Sequence, residues 1–234
     1  MPVFHVLDTE QAVRNIEIAI EGKAHGVFLI NHDFEKERLI PIIRAVRQRF
    51  ASLWLGVNFL AVTGKVAFPI LGELEQDDCR IDAYWGDDAR IDEHRDAADQ
   101  PEADEIAQVR LNSGWNGTYF GGTAFKKQRN VAPADYETSA RLAVPFMDVV
   151  TTSGIATGHE ADHSKIEAFR RGIGDRPLAL ASGITPDNAE SYADVDCFMV
   201  ATGINADGDF YNIDPARLAR LMNVARDLGG HNDD

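Results

Sequence analysis

Three short runs toward the end of the chain pair glycine with hydroxyl side chains: Thr151-Thr152-Ser153-Gly154, Ala181-Ser182-Gly183-Ile184-Thr185 and Ala201-Thr202-Gly203-Ile204-Asn205. Glycine leaves the peptide edge uncovered, so backbone N–H groups can meet an anion closely, and hydroxyls add further donors. One such run is as well explained by a tight turn. Three in succession favour a ligand, and the chemistry they suit is phosphate binding. On this reading Ser153, Gly154, Ser182, Gly183, Thr202 and Gly203 hold the substrate, joined by Asn58 at the end of an apolar run, Leu53–Phe59. Lys126 follows a further glycine-bearing run, Gly121-Gly122-Thr123-Ala124-Phe125. A lysine there can bind phosphate or, if desolvated, act as a base or a Schiff-base nucleophile. Asp82 is read as its partner in acid–base catalysis, because a carboxylate and an amine in one cleft shift each other's pKa values.

Other polar groups have competing explanations. Asn31, His32, Asp33, Tyr84 and Trp85 also fall at the ends of apolar runs, with Asp33 read first as a helix N-cap. His159-Glu160-Ala161-Asp162-His163 satisfies the H-E-x-x-H pattern of zinc hydrolases. It follows a glycine turn, and Asp162 suits an N-cap, so the two histidines should straddle a loop and a helix start rather than share one helix face. Between Asp77 and Glu105 stand twelve acids against three arginines. A solvated lid is the expected reading, with a divalent-cation site using Asp82, Asp87 or Asp88 as the alternative. Neither a metal nor a cofactor is expected.

These residues need a scaffold that brings several chain segments to one place. Strand-like and helix-like runs alternate eight times. The strand-like runs are Pro2–Leu7, Gly26–Ile30, Leu53–Phe59, Cys79–Ala83, Gly117–Gly122, Met147–Thr152, Pro177–Ala181 and Cys197–Ala201. They are nearly continuous in apolar character, as strands of a parallel sheet covered on both faces must be. Eight β/α units predict an α/β fold, a single-domain (β/α)8 TIM barrel over residues 1–234, with 229–234 as a frayed tail. An open doubly wound sheet is the alternative. In a barrel the glycine runs, Asn58 and Lys126 all emerge at the C-terminal ends of strands, where such folds place their active sites.

The chain from Val149 to Met222 resembles the BtpA/SgcQ family of ribulose-phosphate-binding-type barrels. The resemblance is carried by Val150–Gly158, by Ala181-Ser182-Gly183-Ile184-Thr185-Pro186-Asp187-Asn188, by Val200–Gly203, and by Asn212–Arg217. Leu55-Gly56-Val57-Asn58 matches the family's third strand, Arg80-Ile81-Asp82 lies where its fourth runs, and Lys126 corresponds to a family lysine. The segment Ser182–Asn188 is also similar to phosphoribosylanthranilate isomerases. The resemblance implies an enzyme acting on a small phosphorylated sugar or nucleotide-like ligand, by isomerisation or phosphoribosyltransferase-like group transfer. Its runner-up implication is a non-catalytic biogenesis or regulatory factor for a membrane complex, since the family's namesake is associated with photosystem I biogenesis. Ile204 and Asn205 stand where family members are often basic, which implies weaker anion binding here.

Composition narrows the partners. A net charge of −15 argues against a nucleic-acid groove or an anionic membrane surface. No apolar run approaches the roughly 20 residues of a membrane span. The start, MPVFHVLDTE, reads as no secretory leader. Cys79 and Cys197, far apart in apolar runs, are read as buried thiols of a cytoplasmic protein. The expected partner is a small phosphorylated ligand, and homo-oligomerisation is left open.

Overall fold

The computed structural model describes residues 1–229; of the expected frayed tail, 230–234 lie outside them. Eight parallel strands pair in sequence order: β1 (Val3–Val6), β2 (Gly26–Asn31), β3 (Trp54–Asn58), β4 (Ala83–Gly86), β5 (Thr118–Gly122), β6 (Val149–Thr152), β7 (Leu178–Leu180) and β8 (Cys197–Phe198). The sheet closes, because Val3 N–H donates to Val200 O at 2.8 Å and Val200 N–H to Met1 O at 3.0 Å. Closure sets the open-sheet alternative aside and makes the fold a (β/α)8 barrel. Helices α1 (Thr9–Glu21), α2 (Lys36–Arg49), α3 (Gly64–Gln76), α4 (Pro101–Ser113), α5 (Tyr136–Ala143), α6 (His163–Ile173) and α7 (Pro215–Gly229) surround it. Between β7 and β8 the crossover carries only a 3-10 turn, Ala189–Tyr192. No helix among the described residues is long and apolar enough to cross a membrane.

Side chains alternate along each strand between the barrel interior and the helix layer. The interior holds Val3, Phe28, Ile30, Ala83, Trp85, Phe120, Val149, Ala179 and Met199. Phe28 meets Trp54, Trp85 and Phe120 edge-on, with centroids 5.3–6.3 Å apart. This is the geometry that ring quadrupoles favour. Gly56 makes the room: a Cβ there would lie 2.3 Å from the Phe28 ring. The opposite parity, including Val57, Ile81, Val150, Leu180 and Val200, is buried in the larger core between strands and helices.

β4 is displaced from the expected position. Cys79 and Ile81 are buried as anticipated, but in the helix-facing core, and the strand begins only at Ala83. Asp82 therefore stands at the start of β4, not at its end. Cys79 is buried and Cys197 half-buried, and both are free thiols.

Candidate active site

Parity decides which carboxylate enters the barrel. Ala83 and Trp85 face the interior, so Asp87, two residues on, projects into the mouth, while Asp82 has the opposite phase. Asp82 is held at the N-terminal end by the Arg47 guanidinium at 2.8 Å, the Leu55 N–H at 2.8 Å and Arg80 at 2.9 Å. Asp82 and Lys126 thus do not share a cleft, contrary to expectation; the carboxylate that lines the cavity with Lys126 is Asp87. The same displacement takes Asp82 out of the cation-site alternative.

A cavity of about 470 Å³ opens at the C-terminal end of the barrel. Its floor and walls are mostly apolar: Val3, Ile30, Leu60, Trp85, Ala181, Ile184, Met199 and Val200. Polar groups enter from several strand ends, with His5, His32, Asp87, Lys126, Ser182, Gly183, Thr202 and Gly203 all lining it. Asp87 is half-buried and accepts one hydrogen bond, from Asn58 Nδ2 at 3.0 Å. Burial, only partly offset by Asn58 and Lys126, pushes its carboxyl up to about 6. Lys126 Nζ donates to the neutral Ala181 carbonyl at 3.0 Å, and burial brings its ammonium down to about 8. The two groups act on each other electrostatically without an ion pair, and both line the same cavity.

The expected phosphate residues divide. Ser182, Gly183, Thr202 and Gly203 line the cavity. Among the described residues the N–H groups of Gly183, Ile184 and Gly203 take no intramolecular acceptor. Gly154 does not line the cavity, and its N–H is already given to Ser182 Oγ at 2.8 Å. Ser153 is fully buried, and its Oγ accepts the Lys126 backbone N–H at 2.8 Å, so it positions the lysine rather than touching a ligand. Asn58 stands behind Asp87, with no donor reaching its own Oδ1 among the described residues. Gly183 has φ +70°, and a Cβ there would fall 2.3 Å from His159 O. The residue is thus required by the turn itself as well as by any ligand.

The β5 loop is fixed by a second buried lysine. Lys165, on α6, donates to Ala124 O at 2.6 Å and Ser153 O at 2.7 Å, tying the ends of β5 and β6 together beneath Lys126. Burial also lowers Lys165, to about 8. On the other side of the mouth, Phe210 from the loop after β8 stacks on His5 with centroids 3.8 Å apart and meets His32 edge-on at 4.9 Å. Tyr211 donates to Asp33, so Asp33 serves this latch and not the N-cap of α2, which is Glu35. Burial presses His5 down to about 4, which keeps it neutral. His5, Phe210 and Asp87 line the cavity but are not among the ligand-binding or acid–base residues expected from the sequence. Parity marks His5 and Asp87, whereas nothing local marks Phe210.

His159 lies in the loop and His163 opens α6, stacked on Tyr192 with centroids 4.6 Å apart. The two sit on different elements, and neither joins a cluster of three metal-ligating side chains among the described residues. The acidic stretch after β4 packs as a side wall: Ala89, Ile91 and Glu93 are buried, and Glu93 is bound by Arg129 of the β5 loop, one contact being 2.6 Å.

No protein-family model matches the chain, and no curated protein sequence matches it significantly. Solved structures match throughout its length. A tryptophan synthase alpha chain from Legionella pneumophila has a TM-score of 0.65 at 14% identity, covering 98% of this chain and 92% of that one. A structure described as native KDPGal has a TM-score of 0.64 at 10% identity, covering 98% and 95%. A phosphoribosyl anthranilate isomerase from Thermus thermophilus has a TM-score of 0.61 at 12% identity, covering 97% and 98%. The chain therefore shares the single-domain barrel fold of these proteins, and its site must be argued from its own residues.

Proposed function

We propose that this protein is an enzyme that isomerises a small phosphorylated sugar, or a nucleotide-like relative, by acid–base chemistry at the barrel mouth. The observation that carries the reading is the placement of Asp87 and Lys126 on one cavity of about 470 Å³, without an ion pair between them. A carboxyl near 6 is a competent base at neutral pH, and a lysine near 8 can polarise a carbonyl oxygen or exchange a proton with it. Asn58 orients the carboxylate, and Ser153 with Lys165 fixes the loop that carries Lys126. The free N–H groups of Gly183, Ile184 and Gly203 supply the anion-binding edge. The open cavity favours catalysis over the assembly-factor reading, which calls for a filled mouth.

Thermal melting with inorganic phosphate and with ribose 5-phosphate tests the reading. Both ligands should raise the Tm of the wild type at millimolar concentration, with a smaller response in Lys126→Ala. A wild type indifferent to both removes the phosphorylated-ligand reading.

A further inference from the structure

We infer that Lys126 is a covalent nucleophile: its Nζ forms an iminium with a small aldehyde or ketone held in the barrel mouth, while Asp87 moves the protons. The inference deepens the function proposed above and rests on its reading of the mouth as a ligand site. Three geometric facts carry it. First, Lys126 Nζ is anchored only by a neutral carbonyl, Ala181 O at 3.0 Å, so among the described residues no carboxylate within ion-pair distance holds it as an ammonium. Second, it opens onto a cavity whose wall is largely apolar, with Trp85, Met199 and Ala181 among the lining residues, and its Nζ lies 5.6 Å from the Phe125 ring centroid; removal from water favours the neutral amine. Third, a carboxyl stands on the same cavity without bonding the amine, as a proton carrier for a bound carbonyl must.

The other lysines near the mouth differ. Lys127 is exposed, and Lys165 Nζ is committed to two carbonyl oxygens at 2.6 and 2.7 Å. Lys126 alone among these three combines a single weak anchor with access to the cavity.

The step balances without a redox partner. The Nζ lone pair attacks the carbonyl carbon, a C–N bond forms, and the C=O π pair moves to oxygen, which takes the proton that the nitrogen gives up. The protonated Asp87 carboxyl delivers a second proton to that hydroxyl, the C–O bond breaks, and water leaves. The sum is amine plus carbonyl plus one proton, giving iminium plus water. The Asp87 carboxylate can then remove a proton from the carbon beside the iminium, leaving an enamine, and return it to the same carbon on either face. Water adds to the restored iminium, the C–N bond breaks, and the epimerised carbonyl leaves with the Lys126 amine regenerated.

Reductive trapping tests this. The full-length protein is incubated with D-glyceraldehyde 3-phosphate, or with unphosphorylated glyceraldehyde, in the presence of borohydride, and the adduct is mapped by peptide mass spectrometry. One adduct per chain on Lys126 is expected, lost in Lys126→Ala and Lys126→Arg and kept in Lys127→Ala, with circular dichroism confirming that each variant folds. Asp87→Asn should slow adduct formation by about 100-fold, the usual worth of a positioned proton carrier. Adducts scattered over surface lysines, or an unchanged adduct yield in Lys126→Arg, overturn the inference. Stabilisation by ribose 5-phosphate with no adduct from either aldehyde also overturns it, while leaving the proposed acid–base function standing. An adduct on Lys126 from glyceraldehyde, with no stabilisation by any phosphate, supports the iminium and removes the phosphorylated substrate instead.

Discussion

The two ends of β4 carry aspartates five residues apart that face opposite fates. Asp82, at the N-terminal end, is saturated by two guanidinium groups and the Leu55 N–H. Asp87, at the C-terminal end, has one neutral amide for company and an apolar cavity in front of it. A carboxylate that is fully paired stabilises the structure it joins. One left short of donors costs stability and keeps its proton affinity high, as groups at functional sites commonly do. The contrast separates a structural acid from the acid proposed to do chemistry without reference to any relative.

The sharpest way to break this comparison is to neutralise each acid in turn. Asp87→Asn should lower deuterium incorporation from solvent into ribose 5-phosphate by about 10²- to 10⁴-fold. It should not lower the melting temperature. The folded-state pKa of Asp87 lies above its unfolded value, so the folded protein holds the proton more tightly, and stability is lost as pH rises from about 4 through about 6. Asp87→Asn should therefore melt above the wild type at pH 8 and alike at pH 3.5; a variant that melts lower at pH 8 would sink the argument. Asp82→Ala should do the reverse. Removing one partner of a buried pair leaves Arg47 uncompensated and costs roughly 3 kcal/mol by denaturant titration, with exchange per folded molecule unchanged.

A smaller effect sharpens the contrast between the two buried lysines. Lys165→Met orphans the carbonyls of Ala124 and Ser153 and should destabilise by roughly 1–3 kcal/mol. Lys126→Met gives up one bond to Ala181 O and should cost less, so equal losses would contradict the distinction. The smallest effect concerns pH. Exchange should rise through about 6 as Asp87 ionises and, if the free amine of Lys126 is the reactive form, rise again through about 8. The other groups that act on this pair are Asp88, Lys127 and His5. Asn58→Ala removes the hydrogen bond that favours the carboxylate, so the first limb should move upward; a limb that stays in place would show that Asn58 does not set it.

Much of this was legible beforehand, and the failures share a cause. Eight β/α units follow from apolar runs and turn residues, and the glycine runs after β7 and β8 do meet at one mouth. The error at β4 came from reading Cys79 and Ile81 as strand interior, which put Asp82 at the wrong end. Period-two alternation from Trp85 would have selected Asp87, because a one-residue shift exchanges the faces of a strand. Ser153 and Gly154 looked like anion donors, but their groups are spent on Lys126 and Ser182. Phe210 carries no such signal, since its place depends on the loop after β8 folding back onto β1.

That fold-back links residues about as far apart as the chain allows. His5 meets Phe210, Gln11 and Asn15 of α1 hold Tyr211 O at 2.6 and 2.7 Å, and Val3 meets Val200 across the seam. Contacts of such sequence separation close the largest loop available and form after local β/α units have assembled. The mouth should thus be among the last features the folding chain acquires. A turnover assay run during refolding would count completed rings alone, lagging behind any signal that reports helix content.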